Sequence, residues 1–323
     1  MSRGFTFTPA QFRRVAYVAL GALTLIVLTG AVVRLTDSGL GCPDWPRCYG
    51  KVLPPLSGHA VIEYSNRVVS GLVSLVAVVA FVAAMRRRPF RRDLAWLAVT
   101  LPLGVLAQAV LGGFTVREHL APGFVMAHFG LSMIVLIGAV ALAWRSAHEP
   151  GWRLRTTDGL SVWSVRALLP LGALTIFAGT AATAAGPHSG GVTGEHVHRL
   201  TFEGRDTLSW LVHRHAVIAA LFGVAVIGVW LLHRRREVQR TVEPLTVVGV
   251  LLAAQGLVGS VQYEFHLPSD MVWVHVALAT VTWVALLWAT AAAGSLQPRR
   301  APVQARDLAS QPDLADEPAL VSR

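Results

Sequence analysis

The sequence predicts an all-α integral membrane protein: eight transmembrane helices forming two tandem four-helix bundles related by an internal repeat, with both termini cytoplasmic. Three observations predict it. The chain of 323 residues is 54% hydrophobic and only 14% charged, against about 25% charged residues in soluble domains. Eight apolar runs approach or exceed the roughly 20 helical residues that a bilayer core requires, at about 15–35, 66–85, 94–116, 122–144, 165–185, 209–232, 244–263 and 270–293. Much of the first half recurs in the second.

The first run is longer than a signal-peptide core and lacks a small-residue cleavage site after it, so it reads as a span. "RRRPFRR" (86–92) joins the second and third runs. Arg145, Arg153 and Arg155 lie between the fourth and fifth, and "HRRREVQR" (233–240) lies between the sixth and seventh. With Arg3, Arg13, Arg14 and the "RRAPVQAR" segment, they all fall on one side of an eight-span chain. The positive-inside rule makes that side cytoplasmic. The net charge of +10 is therefore a topology signal, and the expected partner is the lipid bilayer of a cell membrane. Basic residues scattered over separate short connectors do not form a nucleic-acid-binding surface.

The opposite connectors face outward. The first, about 36–62, holds the only two cysteines, Cys42 and Cys48, in "GCPDWPRCYG". A disulfide, a redox-active pair and a metal site are the available readings. The oxidising compartment and close spacing favour the disulfide, while two thiols alone make a poor metal site.

The repeat aligns "AQAVLGGFTVREHLAPGFVMAHFGL" (107–131) with "AQGLVGSVQYEFHLPSDMVWVHVAL" (254–278) at an offset of 147. Carried upstream, the same offset maps Glu63 onto Trp210, Asn66 onto His213 and Arg67 onto Arg214. The expected organisation is a first half over 1–145, a connector over 146–164 and a second half over 165–295. A polar tail over 296–323 lacks apolar periodicity and is expected to be disordered. Each half begins and ends inside, so the repeats are parallel.

Positions 66, 128, 213 and 275 are then equivalent, and three of them are histidine. Intramembrane ionisable groups default to function, and paired imidazoles at one depth in a helix bundle suit a haem. A histidine that only hydrogen-bonds a neighbouring helix and a zinc site, which wants more ligands, are the alternatives. Glu63 and Asn66 share a helix face, although a carboxylate near a helix start is also favoured by the dipole alone. Arg67 and Arg214 could meet propionates or snorkel to headgroups. His215, about 200° round the helix from His213, is expected to face away. His119 and His266 match across the repeat in short outer connectors. His188, His196 and His198 read as solvated loop residues, and their spacing alone would allow an adventitious metal site.

The stretches "VVRLTDSGLGCPDWPRCYGKVLPP", "EYSNR", "LGGFTV", "HLAPGFVMAHF", "GPHSG", "VHRHA" and "WVHVALA" resemble the bacterial haem A synthase family over nearly the whole chain. That resemblance implies oxidation of the C8 methyl of haem O to a formyl group by successive hydroxylations, for terminal oxidase assembly. It implies a substrate haem in the first half on His128, with Glu63 as the working carboxylate. It implies haem b in the second half between His213 and His275, a loop disulfide, an electron donor of unspecified identity and a haem O synthase as supplier. Where many family members read ExxHR, this chain reads Glu63-x-x-Asn66-Arg67, which implies either a substrate haem held by His128 alone or a first-half site that has lost function; the retained Glu63, Arg67, His128 and cysteine loop favour the first. The competing reading is a di-haem electron-transfer cytochrome without catalysis, which predicts symmetrical ligand pairs and no first-half carboxylate.

Overall fold

A computed structural model describes residues 5–149, 155–192, 197–202 and 206–296. The 297–323 tail, His196 and part of the connector between the halves lie outside them.

Among the described residues the chain forms eight long helices: α1 (Pro9–Leu35), α2 (Gly58–Arg86), α3 (Arg92–Arg117), α4 (Pro122–Ala147), α5 (Gly159–Ala185), α6 (Thr207–Arg235), α7 (Gln239–Glu264) and α8 (Ser269–Ala292). All eight are long and apolar enough to cross a membrane. Two-residue strands β1 (Arg155–Thr156) and β2 (Ser295–Leu296) pair in parallel, tying the connector to the end of α8. Each helix extends past its apolar run. α2 starts well before residue 66, so "EYSNR" lies inside the helix and not at its mouth.

Local sequence explains the helix starts. Thr8 caps α1 in a reciprocal box with Gln11, ahead of Pro9, satisfying two otherwise orphaned amides. Asp158 caps α5 through the Ser161 amide. At the ends of α3 and α7, the matched pairs His119–Leu120 and His266–Leu267 adopt positive φ (48°, 56°, 60° and 63°). These histidines recur because they occupy the left-handed turn that ends each helix.

α1–α4 pack as one four-helix group and α5–α8 as another, meeting through α1, α4, α5 and α8. Two α8 tryptophans tie the groups: the indole N–H of Trp283 donates to the Met133 carbonyl (3.0 Å) and that of Trp273 to the Leu28 carbonyl (3.1 Å). At the end bearing the short connectors, not all of the arginines are free. Arg87 is fully buried and pairs with Glu149 at 2.7 Å. Arg91 binds Asp93 and the carbonyls of Arg145 and His148.

The repeat is real, but its register changes once. α3/α7 and α4/α8 start at the expected offset of 147. α2 and α6 share both bounds at an offset of 149. Buried Val73, Ala77 and Ala84 then match buried Phe222, Val226 and His233, and on α1 and α5 Ala16, Ala19 and Leu23 match Val165, Leu168 and Gly172. The cause is the inner hairpin, which has five residues (87–91) in the first half and three (236–238) in the second.

Candidate functional site

The register change corrects one set of expected equivalences. Asn66 corresponds to His215, Glu63 to Val212 and Arg67 to Ala216. His213, expected opposite His275, is exposed on α6. Arg214 is likewise exposed and stacks its guanidinium over the Trp210 ring at 5.2 Å. His215, expected to face away, points at His275, with ring centroids 6.2 Å apart. The alternation "HRH" offers two imidazoles one residue apart, and the structure turns toward His275 the one that sequence spacing passed over.

The four equivalent positions share a packing rule. Three of them face a glycine on the preceding helix, and the fourth, Asn66, has Gly30 as the glycine equivalent by repeat position. A Cβ on Gly112 would lie 3.3 Å from the His128 ring, one on Gly179 3.0 Å from His215, and one on Gly259 3.1 Å from His275. Each imidazole therefore seats against bare backbone. The fourth glycine, Gly30, faces open space. Asn66, its counterpart, is shorter and accepts a hydrogen bond from the Thr29 hydroxyl at 2.8 Å.

That open space belongs to a cavity of about 610 Å³ lined mainly by α1–α4, with Thr180 and Thr183 of α5 and Val272 and Val276 of α8 closing its side, a size usual for a cofactor or drug-sized ligand. His128 stands on one wall, Asn66 on another, and Glu63, Arg67 and Arg34 near its outer end. It runs down α1 from Leu35 to Leu23, about 18 Å at 1.5 Å per residue. Glu63 is buried, with one carboxylate oxygen 2.5 Å from the Arg67 guanidinium and the other accepting the Cys42 amide at 2.7 Å. Arg67 also donates to the carbonyls of Asp44 (2.9 Å) and Arg47 (2.8 Å). Thus Glu63 and Arg67 clamp the cysteine loop over the cavity. Cys42 and Cys48 form a disulfide, both fully buried.

The second cavity, beside His215 and His275, is about 80 Å³. Nδ1 of His215 donates to the Thr175 carbonyl at 3.1 Å, which leaves Nε2 as the free lone pair. Two imidazoles on opposite sides of one metal, at about 2.0–2.1 Å per nitrogen as for zinc, have centroids roughly 6 Å apart. His215 and His275 match that spacing, although a macrocycle between them requires the surrounding side chains to part.

Buried polar atoms without hydrogen-bond partners mark both places. Nδ1 of His128 and Oε1 of Gln108 are orphaned in the first cavity, and Nδ1 of His275 and Oε1 of Gln255 in the second. The atoms are repeat-related pairs, so the orphaning is systematic, as at a ligand site. Among the described residues no three His, Cys, Asp or Glu side chains converge as a metal cage. The donor sets present suit a flat metal complex taking one or two axial imidazoles. Phe129 and Val276, the residues that follow His128 and His275, line both cavities and separate them.

The remaining expected residues play other parts. The His188 ring bonds the Leu267 carbonyl at 2.7 Å, and its own carbonyl accepts Arg34 at 3.1 Å, so "GPHSG" ties the outer connectors together.

Fold and site together define a polytopic membrane protein of two repeated four-helix groups, each with a histidine-lined cavity. A family model for cytochrome oxidase assembly proteins, COX15-CtaA, matches residues 13–287. The chain belongs to that family. Curated relatives agree. A "Heme A synthase" of Halalkalibacterium halodurans is 33% identical over 122 residues, 37% of this chain and 41% of that protein. A "Heme A synthase" of Shewanella oneidensis is 31% identical over 173 residues, 47% of this chain and 49% of that one. A Thermus thermophilus "Protoheme IX farnesyltransferase" is 31% identical over 301 residues, covering 86% of this chain and 48% of that protein. The chain thus spans less than half the length of these relatives.

Proposed function

We propose that the protein oxidises the C8 methyl of haem O to the formyl of haem A, by two hydroxylations followed by loss of water. The observation that carries this reading is the first cavity. It is large enough for a macrocycle and presents one imidazole, His128. Asn66 and open space before Gly30 stand where the other half has His215 against Gly179. A substrate that must enter, react and leave is better served by one strong axial bond than by two. The relatives named "Heme A synthase" support the same assignment.

In this reading α1–α4 form the catalytic half. His128 binds the substrate iron. Glu63 lines the cavity with its carboxylate fixed by Arg67 and the Cys42 amide, and it accepts protons released from the methyl carbon. The apolar wall excludes water from the reacting edge. His215 and His275 would hold haem b in the second half, and bound there it supplies a one-electron redox centre. Thr175 fixes the His215 tautomer for that role. In this reading the termini are cytoplasmic and the disulfide loop lies on the outer face of the cell membrane, an orientation that the basic connectors support through the positive-inside rule. The farnesyltransferase-named relative, which contains a stretch like this chain in about half of its length, supports a haem O synthase as the supplying partner. Each hydroxylation also draws an oxygen atom from a source outside the chain, and the electrons it requires come from a separate electron donor.

The test is expression in a host that makes haem O but no haem A, with chromatography of extracted haems. Haem A is expected. Folded, membrane-inserted protein that yields none overturns the reading.

A further inference from the structure

The motifs "GCPDWP" and "LGGFTV" meet in space. Gly112 receives His128, and the next residue, Gly113, receives Trp45. A Cβ on Gly113 would lie 3.1 Å from the Trp45 indole. Trp45 and Pro46 line the outer end of the first cavity, and Trp45 is 43% exposed, so one side of the ring meets the cavity region and the other meets solvent.

The rest of this loop is pinned. The disulfide closes it. Arg67 holds four of its carbonyls and Glu63 its Cys42 amide. The Asp44 carboxylate accepts the amides of Tyr49 (2.6 Å) and Gly50 (2.7 Å). A large apolar ring on a loop fixed at so many points is held in place for a purpose.

The repeat gives a second, independent observation. The counterpart of Gly113 on α7 is Ser260, which is exposed. The counterpart connector, 186–206, contributes no described residue to the second cavity. It instead sends Ser189 and Gly190 to the first. Among the described residues, both long outer connectors therefore cover the first cavity and neither covers the second.

We infer that Trp45 is the roof of the first cavity, an aromatic binding residue that covers a flat macrocycle at its outer edge and governs its retention, with Gly113 as the slot that positions the indole. This rests on the reading that a macrocycle occupies the cavity on His128. Aromatic contact and exclusion of water account for an effect of this kind.

Zinc protoporphyrin IX is the probe. It is loaded into full-length protein in lipid nanodiscs, and its release into excess apoglobin is followed by fluorescence. Trp45→Ala is expected to release the probe on the order of tenfold faster. Trp45→Phe should recover most of the retention, Gly113→Ala should speed release by displacing the indole, and Ser260→Ala should change nothing. The visible spectrum of haem held at His215 and His275 should stay as in the native protein in every variant, which separates loss of the roof from loss of fold. Release from Trp45→Ala at the native rate overturns the proposal. If His128→Ala holds the probe as well as the native protein does, or the native protein holds none, the reading of the cavity falls and the roof falls with it.

Discussion

Asn66 and His215 occupy the same place in the two halves, each on the second helix of its group; His215 seats against Gly179 of the first helix, whose counterpart Gly30 has nothing within reach. In the second half an imidazole fills the space. In the first a short amide, held by Thr29, leaves it open. Asn66→His should therefore be accepted without a clash and turn the first cavity into a bis-imidazole site. The expected outcome is a second six-coordinate low-spin haem in the visible and paramagnetic resonance spectra, with haem A formation reduced. An unchanged spectrum in haem-replete protein would contradict the equivalence of these positions.

His215 and His213 give opposite expectations. His215→Ala and His275→Ala should each remove the low-spin signal of the resident haem, since one of two strong axial ligands is lost. His213→Ala should leave haem content and spectrum intact, because that ring is exposed on α6. Pyridine haemochrome assay of purified variants decides it, and the reverse pattern would restore the constant offset of 147.

Gly259 bears on the same pair from the other side. Gly259→Ala places a methyl 3.1 Å from the His275 ring, so the imidazole has to shift by a few tenths of an ångström. A changed midpoint potential or a split low-spin signal at near-native haem content is the expected result. Gly256→Ala, one turn away in open space, is the control that should have no effect.

Glu63→Gln retains size and one hydrogen-bonding oxygen but removes the charge that faces Arg67. Haem A formation should fall by a factor on the order of 10², the usual scale for a lost proton acceptor, while the resident haem remains. Haem O or its hydroxylated product should accumulate in extracted haems. Near-native haem A would leave Glu63 as a loop clamp only.

The Cys42–Cys48 bond closes a short ring, so its effect on global stability should be small, about 2 kcal/mol in the chain-entropy model. Cys42→Ser with Cys48→Ser should leave haem at His215 and His275 intact and loosen the first-half site. Thermal melts followed separately at the haem band and by first-cavity probe binding check this, and equal losses in both would contradict it.

The fold was legible because burial in lipid leaves a coarse signal: eight apolar runs, basic residues gathered in every second connector, and a repeat strong in α3–α4 and α7–α8. The loop disulfide was legible from compartment and spacing. The facing histidine pair was only half legible. His275 lies in the region where the repeat holds, but His215 lies beyond a hairpin two residues shorter than its partner. A gap there rotates the helix face by about 200°, and nothing in an ungapped comparison of the halves reveals it. The four glycines were visible as letters, and Gly112/Gly259 even matched. Their role as seats for rings depends on which helix precedes which in space.

Phe129 and Val276 have one more effect. They follow His128 and His275, are themselves a repeat-related pair, and border both cavities. The two halves therefore share a party wall built from the residues next to His128 and His275. Neither room can be enlarged at that wall without enlarging the other. The duplication that produced two sites also left them as neighbours whose later divergence had to be settled jointly, side chain against side chain.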